Sequence, residues 1–347
     1  MYQTLRYGVA LSVALFALSA NADLQQELDN LAPGSSFQLP PETLSPLAIR
    51  VPGVSVSCAP ETVIDGGGQG NAVEILAEAI TFSGCQVRNW GKDLNELDAG
   101  IFVARVAQGS VVENNRLQGP AFGVWLDATP DVTVRENHIR GDTSLRSQDR
   151  GNGIHLFNTT GALIEGNDIS ETRDAIYIET ANRNTIRDNV MSDLRYGIHY
   201  MYSMHNLLEN NVTRGTRTGY ALMQSKYLKV FNNRSENDEN YGILMNFITN
   251  SELRNNVVTG VSQGQSAGVI ISGAEGKAVF IYNSLYNTFE GNYFGHSNIG
   301  IHLTAGSEEN QVFNNAFVEN QRQVKYVATR TQFWAEDGKG NYWSDYL

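Results

Sequence analysis

Long apolar runs are almost missing from this chain of 347 residues. After residue 22 no stretch reaches the roughly 18 uninterrupted apolar residues that a membrane span needs, so we expect a soluble mature chain without its own anchor. A run of Lys or Arg is also missing, and the formal net charge is −12, which argues against nucleic acid as a ligand. The chain has no Gly-Lys-Ser or Gly-Lys-Thr phosphate loop, so we do not expect it to bind ATP itself.

The one apolar stretch lies at the N-terminus. Arg6 is followed by mostly apolar residues from Tyr7 to Ala20, and Ala20-Asn21-Ala22 is a small-x-small cleavage pattern. Residues 1–22 are therefore predicted to be a cleaved secretory signal peptide. Contact of the mature chain with a membrane would then need a partner protein.

What the chain does contain is a repeat marked by asparagine. The spacing between successive repeats is 22 or 23 residues, with two longer intervals of 30 and 36 residues. The repeated residues are Asn115, Asn137, Asn167, Asn189, Asn211, Asn233, Asn256, Asn292 and Asn315. A period of this length predicts a solenoid. We expect each Asn to occupy a left-handed corner and to bond the next Asn, which makes Asn137, Asn167, Asn189 and Asn211 structural residues.

Each repeat also carries a Gly-led apolar alternation, such as Gly153-Ile-His-Leu156 and Gly197-Ile-His-Tyr200. Alternation with a period of two predicts strands, and a repeat this short leaves no room for a helix. The sequence therefore predicts an all-β, single-domain, right-handed parallel β-helix of about ten coils, with the second and fourth residues of each run in the core. The proline-rich residues 23–52 are predicted to form an N-terminal cap, and residues 53–347 the β-helix.

Two insertions lengthen otherwise regular coils, from Gly141 to Arg150 and roughly from Ser272 to Asn287. Loops that project from a rigid coil are natural contact sites. The two cysteines, Cys58 and Cys85, fall in consecutive early repeats and are interpreted as structural, because in an exported chain they could form a disulfide between coils. A reduced pair that binds a soft metal ion and two separate buried thiols remain as alternatives.

The third residues of the Gly-led runs should form a column on the outside of the coils. Its members are Phe102, Trp125, His155, Tyr177, His199, Leu222 and Leu244. The densest nearby segment runs from His199 to His205 and includes Met201 and Met204. Imidazole and thioether ligands favour Cu(I), so His199, Met201, Met204 and His205 are candidate metal ligands, although Met and His also fill β-helix surfaces for packing alone. His138, His296 and His302 lack such neighbours in the sequence and are interpreted as ordinary surface or turn residues.

A second interpretation is enzymatic, because right-handed β-helices often cleave or epimerise acidic polysaccharides. Candidate groups are Asp174, Glu179, Asp188, Arg173 and Arg195, with His155 or His199 as the base. However, the acids are spread one to a coil and usually lie beside a basic residue, which indicates a solvated ladder of ion pairs. We therefore favour a protein that is not an enzyme and keep the lyase or epimerase as the alternative.

Several motifs resemble one particular family. Arg150-Gly-Asn-Gly-Ile-His-Leu156, Arg173-Asp-Ala-Ile-Tyr-Ile178 and above all Leu194-Arg-Tyr-Gly-Ile-His-Tyr-Met-Tyr-Ser203 are similar to NosD, the periplasmic β-helix protein of nitrous oxide reductase maturation. Ile64-Asp-Gly-Gly-Gly68 and Gly340-Asn-Tyr-Trp-Ser-Asp-Tyr346 fit the same family. Members usually continue past the last motif into an Asp- and Gly-rich tail.

The resemblance implies a periplasmic, non-enzymatic role in copper delivery. Members dock on an ABC transporter formed by the ATPase NosF and the membrane subunit NosY, accept Cu(I) from the chaperone NosL, and help to load apo nitrous oxide reductase. For this chain it implies transient Cu(I) and no permanently bound cofactor. Only the run from His199 to Tyr202 matches a motif linked to function. We expect partner contacts along the same column, at His155, Tyr177, Arg195, Tyr196 and Tyr202.

Overall fold

The computed structural model describes residues 23–263, 275–304, 306–327, 330 and 332–346. The predicted signal peptide, residues 1–22, lies outside the described residues. Helical structure in these ranges consists of residues 23–29 and a single 3-10 turn, Ser147–Asp149. Neither of these helical segments of the described ranges is long and apolar enough to cross a membrane. All other regular structure is β.

The strands form three parallel sheets with 12, 13 and 12 strands, in which each strand pairs with the equivalent strand of the next coil. Sheet A contains Ser36–Leu39, Ser55–Cys58, Thr81–Ser83, Val111–Glu113, Thr133–Arg135, Leu163–Glu165, Thr185–Arg187, Leu207–Glu209, Lys229–Phe231, Glu252–Arg254, Thr288–Glu290 and Gln311–Phe313. Sheet B contains Thr43–Leu44, Val63–Asp65, Gln86–Arg88, Arg116–Gly119, His138–Gly141, Asp168–Ser170, Val190–Ser192, Val212–Arg214, Arg234–Glu236, Val257–Thr259, Tyr293–Gly295, Ala316–Val318 and Tyr342–Trp343. Sheet C contains Leu47–Ile49, Val73–Ile75, Ala99–Val103, Phe122–Asp127, Ile154–Phe157, Asp174–Glu179, Tyr196–Met201, Thr218–Met223, Tyr241–Asn246, Lys277–Tyr282, Ile299–Leu303 and Arg322–Tyr326.

The predicted right-handed parallel β-helix is confirmed, but it has more coils than the ten we expected. The strands alternate because one side of each strand faces the interior of the coil and the other faces out. The predicted core residues Ile154 and Leu156, and likewise Ile198 and Tyr200, are completely buried in one continuous hydrophobic core. Equivalent residues of neighbouring coils stack about 4.8 Å apart, which sets the geometry of every surface column.

The extra coils arise mainly at the N-terminus. Residues 36–49 form three short strands that pair in register with the next coil, for example Ser36 with Ser55 and Leu47 with Val73. The boundary predicted between residues 52 and 53 is therefore wrong, because prolines between short strands do not interrupt the pairing. The segment that precedes the first coil is the helix at residues 23–29. Its Gln25 side chain bonds both backbone groups of Ala48 at 2.9 and 3.0 Å, which covers part of the first strand edge.

The first insertion lies where the sequence placed it. It follows the strand His138–Gly141 and contains the 3-10 turn, and the Arg150 guanidinium fastens it by donating to the carbonyls of Leu145 and Glu171 at 2.8 Å. The second insertion is misplaced in the prediction. Residues 277–282 form a regular strand of sheet C in register with Tyr241–Asn246, so this part of the predicted insertion is ordinary coil, while residues 272–274 lie outside the described residues.

The asparagine ladder has the predicted bonding. Asn189 is completely buried; its Nδ2 donates to Asn211 Oδ1 at 2.9 Å and to the Ile164 carbonyl at 3.0 Å, and its Oδ1 accepts from the backbone and the side chain of Asn167. The left-handed corner, however, belongs to the preceding residue, for example Asp188 with φ 57°. The expected corner position was therefore wrong by one residue. The repeated Asn side chain points inward and bonds the backbone between coils.

Cys58 and Cys85 form a disulfide with a Cα–Cα distance of 5.0 Å. This pairing excludes the two alternatives for these residues, a metal-binding pair and separate thiols. The bond joins two neighbouring coils near the N-terminal end of the β-helix, where few coils are stacked on the N-terminal side.

Candidate functional site

The candidate site lies on the outer face of sheet C. Cross-coil pairing places Trp125 beside His155, His155 beside Tyr177, and Tyr177 beside His199. A Gly or Ala lies near the start of each of these strands, where the coils approach closely: a Cβ on Gly153 would lie 2.5 Å from Ile169 Cγ2 and 2.7 Å from the Ala175 carbonyl oxygen. The predicted outer column is therefore found in the four coils that carry Trp125, His155, Tyr177 and His199.

One coil of the column was predicted out of register. Ala221, not Leu222, pairs with His199, and Leu222 pairs with Tyr200 and is completely buried in the core. In the sequence Gly219-Tyr220-Ala221-Leu222, either Tyr220 and Leu222 or Ala221 and Met223 could face the interior. The pairing with the preceding coil places Tyr220 and Leu222 inside. As a consequence Met223 takes the outer position that follows, in register with Met201.

His199 is held by a buried carboxylate. Its Nδ1 lies 3.0 Å from Oδ2 of Asp174, which is completely buried on the neighbouring coil. Burial alone raises the pKa of Asp174, but hydrogen bonds from His199 and Arg195 outweigh it, so the pKa of this carboxyl is lowered. The ionised carboxylate can only accept hydrogen bonds. In the neutral form of the ring, the proton therefore lies on Nδ1 and the lone pair on Nε2.

The Nε2 atom of His199 is shielded from water and has no hydrogen-bond partner among the described residues. His199 as a whole is 8% exposed, although it lies outside the hydrophobic core of the coils. The predicted outward position is thus found, but the imidazole is more covered than an open column implied. Aromatic neighbours account for part of the cover, since the ring of Tyr177 stacks on it at 4.5 Å and that of Tyr196 meets it edge-on at 4.9 Å.

Tyr177 separates the two imidazoles of the column. Its ring lies 4.7 Å from that of His155 and 4.5 Å from that of His199. Burial, together with the neighbouring carboxylates of Glu179 and Asp174, raises the pKa of Tyr177 to about 12. This phenol therefore stays protonated at neutral pH.

His155 is packed more tightly than His199. Its Nδ1 lies 3.1 Å from Asn152 Nδ2, its ring contacts Trp125 at 4.1 Å, and its Nε2 is 3.3 Å from Glu179 Oε2 in an alignment too poor for a hydrogen bond. Burial lowers the pKa of His155, against the opposing effect of the Glu179 carboxylate. We interpret His155 as a neutral packing residue of the column rather than a free contact residue.

Two thioethers follow the imidazole on the same face. Met201 and Met223 are register partners on neighbouring coils, and both are half-buried. Met204 and His205 lie in the corner that joins sheet C to sheet A, as predicted, and His205 is exposed with its ring stacked on Tyr227 at 4.8 Å. The sequence analysis missed Met223, because a column that contains Leu222 in place of Ala221 turns Met223 towards the interior.

The described residues contain no group of three or more His, Cys, Asp or Glu side chains arranged to hold a metal ion. Hard cations such as Mg²⁺ and Ca²⁺ prefer a set of oxygen ligands. A site of one imidazole and two thioethers is of a different kind and suits a soft ion.

The remaining predicted contact residues differ in accessibility. Arg195 and Tyr196 are half-buried, with the Arg195 guanidinium 4.5 Å above the Tyr196 ring, while Tyr202 is exposed. Asp174 does not belong to a solvated ladder as expected. It pairs with Arg195 of the next coil instead of its chain neighbour Arg173, whose Nε donates to Asn152 at 3.3 Å.

His302, which the sequence suggested to be an ordinary surface or turn residue, is half-buried in a strand of sheet C. It continues the outer column of sheet C between Phe280, whose ring lies 5.1 Å away, and its register partner Lys325. Burial and the charges of Lys325 and Lys277 lower the pKa of His302 to about 4. The sequence could have shown that His302 and His199 occupy equivalent positions of their coils only if the long insertion between them had been placed correctly.

The fold and these side chains define a class of protein: a parallel β-helix with a column of aromatic, imidazole and thioether side chains on the outer face of one sheet. The particular family follows from comparison with known proteins. The family model described as "Periplasmic copper-binding protein (NosD)" matches residues 135–347, and the chain belongs to this family. Two relatives, both described as "Probable ABC transporter binding protein NosD", agree. The one from Pseudomonas aeruginosa is 60% identical over 84% of this chain and 68% of its own length, and the one from Stutzerimonas stutzeri is 50% identical over 99% and 80%.

Solved structures share the fold at low sequence identity. The surface adhesin PfbA of Streptococcus pneumoniae superposes with a TM-score of 0.67 at 11% identity and covers 88% of this chain and 96% of its own. The A-module of the mannuronan C-5 epimerase AlgE4 of Azotobacter vinelandii superposes with 0.61 at 14% identity, over 90% and 95%. An adhesin and an epimerase share this scaffold, so the scaffold alone does not decide the chemistry.

Proposed function

We propose that this protein is a periplasmic accessory factor of nitrous oxide reductase maturation that takes up Cu(I) and passes it on. The observation that carries the proposal is the His199 imidazole, whose Nδ1 is fixed by Asp174 while Nε2 has no hydrogen-bond partner among the described residues. The same outer face carries Met201, two residues further along the strand, and its register partner Met223. A carboxylate behind a ligating histidine orients the ring and raises its basicity. Membership in a family described as copper-binding supports the same interpretation.

The proposed cargo site consists of His199, Met201 and Met223. The half-buried thioethers are its accessible ligands, and the covered imidazole becomes available when a neighbouring side chain moves. Met204 and His205 lie at the adjoining corner, where they would assist entry or release. Thioethers and a single imidazole bind Cu(I) with few strong bonds, which suits a carrier that must release its ion.

A Cu(I) titration tests this site. The protein is titrated without oxygen against a competing Cu(I) chelator, and the double variant His199→Ala/Met201→Ala is compared with Met204→Ala/His205→Ala. Loss of a group that only orients a metal ligand lowers metal affinity by about 10–100-fold. We expect His199→Ala/Met201→Ala, which removes two ligands, to lower the Cu(I) affinity by more than this. Met204→Ala/His205→Ala should lower the Cu(I) affinity less than the first variant does. Equal affinities of wild type and His199→Ala/Met201→Ala would refute the site.

We further propose that the protein docks on an ABC transporter made of NosF and NosY, accepts Cu(I) from NosL, and delivers it to apo nitrous oxide reductase. The descriptions of both relatives as transporter-binding proteins support the first contact. The loop between Gly141 and Arg150 is a suitable contact because it projects from a rigid coil. Deletion of its eight residues 142–149 restores the 22-residue spacing of the Asn ladder, so the shortened coil should fold.

Co-purification tests the loop. The transporter complex is isolated with either the wild type or the deletion variant, and the protein that remains bound is measured at equal expression. Loss of the complex with an unchanged thermal unfolding temperature supports docking through the loop. A fully retained complex would assign the transporter contact to another surface.

A polysaccharide lyase or epimerase is the second candidate. Its support is the group formed by His199, Asp174 and Arg195, in which an imidazole with a free Nε2 could act as base next to a cation. Incubation with alginate or pectate tests it, because elimination creates an unsaturated sugar that absorbs ultraviolet light, and epimerisation changes the sugar composition. Neither change is expected from a copper carrier.

A further inference from the structure

Exposed aromatic side chains are grouped along the corner of the β-helix that joins sheet C to sheet A. We call this group the aromatic ridge; it consists of Tyr202, Tyr227, Phe247, Tyr282 and Tyr286, which are between 42% and 57% exposed. Tyr202 and Phe247 lie in one row of the corner, and Tyr227 and Tyr286 lie in a second row three residues further along the chain. Backbone bridges from Met204 to Lys226, from Lys226 to Thr249 and from Thr249 to Leu285 keep the four coils of this corner in register. The ridge is therefore a rigid surface feature, about 14 Å long at 4.8 Å per coil.

Burial in the hydrophobic core does not explain these aromatic residues. Tyr202, Tyr227, Phe247 and Tyr286 adopt left-handed φ angles of 53°, 56°, 56° and 58°. The same corner uses Asn250 and Asn283, with φ 53° and 45°, and Asn tolerates this conformation far better than Tyr or Phe. Strained, half-exposed aromatic side chains cost stability without filling the core. Left-handed φ angles recur at the corners of the whole β-helix, so what distinguishes this corner is the size and exposure of its aromatic side chains.

The charge of the corner differs from that of the chain. The formal net charge is −12, yet segments 180–183, 202–206, 224–227, 247–250 and 282–286 contain no Asp or Glu and include Arg183 and Lys226. A surface of Tyr, Phe and Met with few carboxylates has the composition of the central part of a protein–protein interface. Cations at its border favour a partner whose contact face is apolar with an acidic rim.

The ridge begins beside the proposed cargo site. Tyr202 directly follows Met201, and Gln224 to Tyr227 directly follow Met223. We infer that the aromatic ridge is the docking surface for the protein that hands Cu(I) to Met201 and Met223. This inference rests on the proposed function. A donor seated on the ridge would hold its ion next to the two thioethers that are the most accessible ligands of the site.

The size of the ridge fits a donor that leaves after delivery. Five aromatic side chains of ~150–250 Å² each, about half exposed, offer roughly 500 Å² of contact. A standard interface takes about 800 Å² from each partner, and transient complexes lie below that size. The ridge therefore suits a small partner and a short-lived complex, rather than a permanent subunit.

Replacement of the ridge by the chain's own alternative residue provides the test. The variant Tyr202→Asn/Tyr227→Asn/Phe247→Asn/Tyr286→Asn uses the amino acid already present at the other corner positions, so it should fold with an equal or higher thermal unfolding temperature. Val106→Thr/Val190→Thr, exposed apolar residues away from the ridge, is the matched control. Immobilised NosL loaded with Cu(I) is the probe, and apo nitrous oxide reductase is the comparison.

We expect the ridge variant to bind NosL at least tenfold more weakly than wild type and control, while its own Cu(I) affinity in a chelator titration is unchanged. Lys226→Glu, a single surface change that leaves the ridge intact, should slow association with NosL most strongly at low salt. Unchanged NosL binding by the ridge variant overturns the inference. A ridge variant that binds apo nitrous oxide reductase more weakly but binds NosL as the wild type does also overturns it. If the wild type binds no Cu(I), the proposed function fails instead, so the two failures are distinguishable.

Discussion

Arg195 donates two hydrogen bonds to Asp174, at 2.8 and 2.6 Å, from the next coil of the β-helix. The same buried carboxylate holds the Nδ1 atom of His199. One acid thus neutralises a guanidinium and orients an imidazole. This arrangement gives the outer face of sheet C an imidazole whose orientation is fixed by buried contacts.

The first prediction concerns this carboxylate. Asp174→Asn should lower Cu(I) affinity about tenfold, because the ring loses its charged orienting partner. It should also lower the free energy of unfolding by about 3 kcal/mol, since Arg195 loses its partner for a partly buried charge. Chelator titration and urea unfolding measure the two effects. Asp188→Asn, at an exposed acid of the next corner, should change neither, and unchanged Cu(I) affinity of Asp174→Asn would contradict the proposed role.

The asparagine ladder should be the most sensitive structural element. Asn189→Ala removes bonds to Asn211, to Asn167 and to the Ile164 carbonyl, all of them buried. Each buried group left unpaired costs about 1–3 kcal/mol, so the free energy of unfolding should fall by roughly 3 kcal/mol or more. Urea unfolding is the measurement. The neighbouring Asp188→Gly, which suits the left-handed corner, is the control, and an equal loss in both variants would argue against the ladder.

The disulfide should stabilise the early coils. Cys58 and Cys85 are separated by 27 residues, and the loop-entropy model gives about 3–4 kcal/mol for closing such a loop. We expect Cys58→Ser/Cys85→Ser to unfold at a lower temperature than wild type. A reducing agent should shift the wild type towards the variant and leave the variant unchanged. A reductant effect of equal size on both would show that the bond is not its target.

His302 should make stability depend on pH. Its pKa in the folded protein is about 4, below the ordinary 6.5, so the unfolded chain binds the proton more strongly. The contribution of His302 to the free energy of unfolding is therefore fully present above pH 6.5 and is lost as the pH falls towards 4. The thermal unfolding temperature of wild type should fall more steeply over this range than that of His302→Gln. Lys325→Gln should reduce the slope as well, because it removes a charge that lowers the pKa of His302.

The candidate site was predictable only in part. His199, Met201, Met204 and His205 were recognisable as a soft-ligand cluster because they are close in sequence, and the structure places the first two on the outer face of sheet C as expected. Met223 was not recognised, because two alternations fit the run from Gly219 to Met223 equally well. The partner of Asp174 was also missed. Its sequence neighbour Arg173 suggested a surface pair, whereas the contact with Arg195 exists only between coils.

The sequence by itself determined the architecture: the spacing of Asn137, Asn167, Asn189 and Asn211 and the alternating Gly-led runs specify a parallel β-helix, because each repeat forms the same strands and corners from local pattern alone. The tertiary structure decided which side chains meet across coils. That choice depends on hydrogen-bond register and on the exact place of each insertion, and a shift of one residue exchanges the interior for the surface. For this reason the ladder could be read from the sequence, whereas the buried Asp174, the Met201–Met223 pair and the aromatic ridge became visible only in the folded chain.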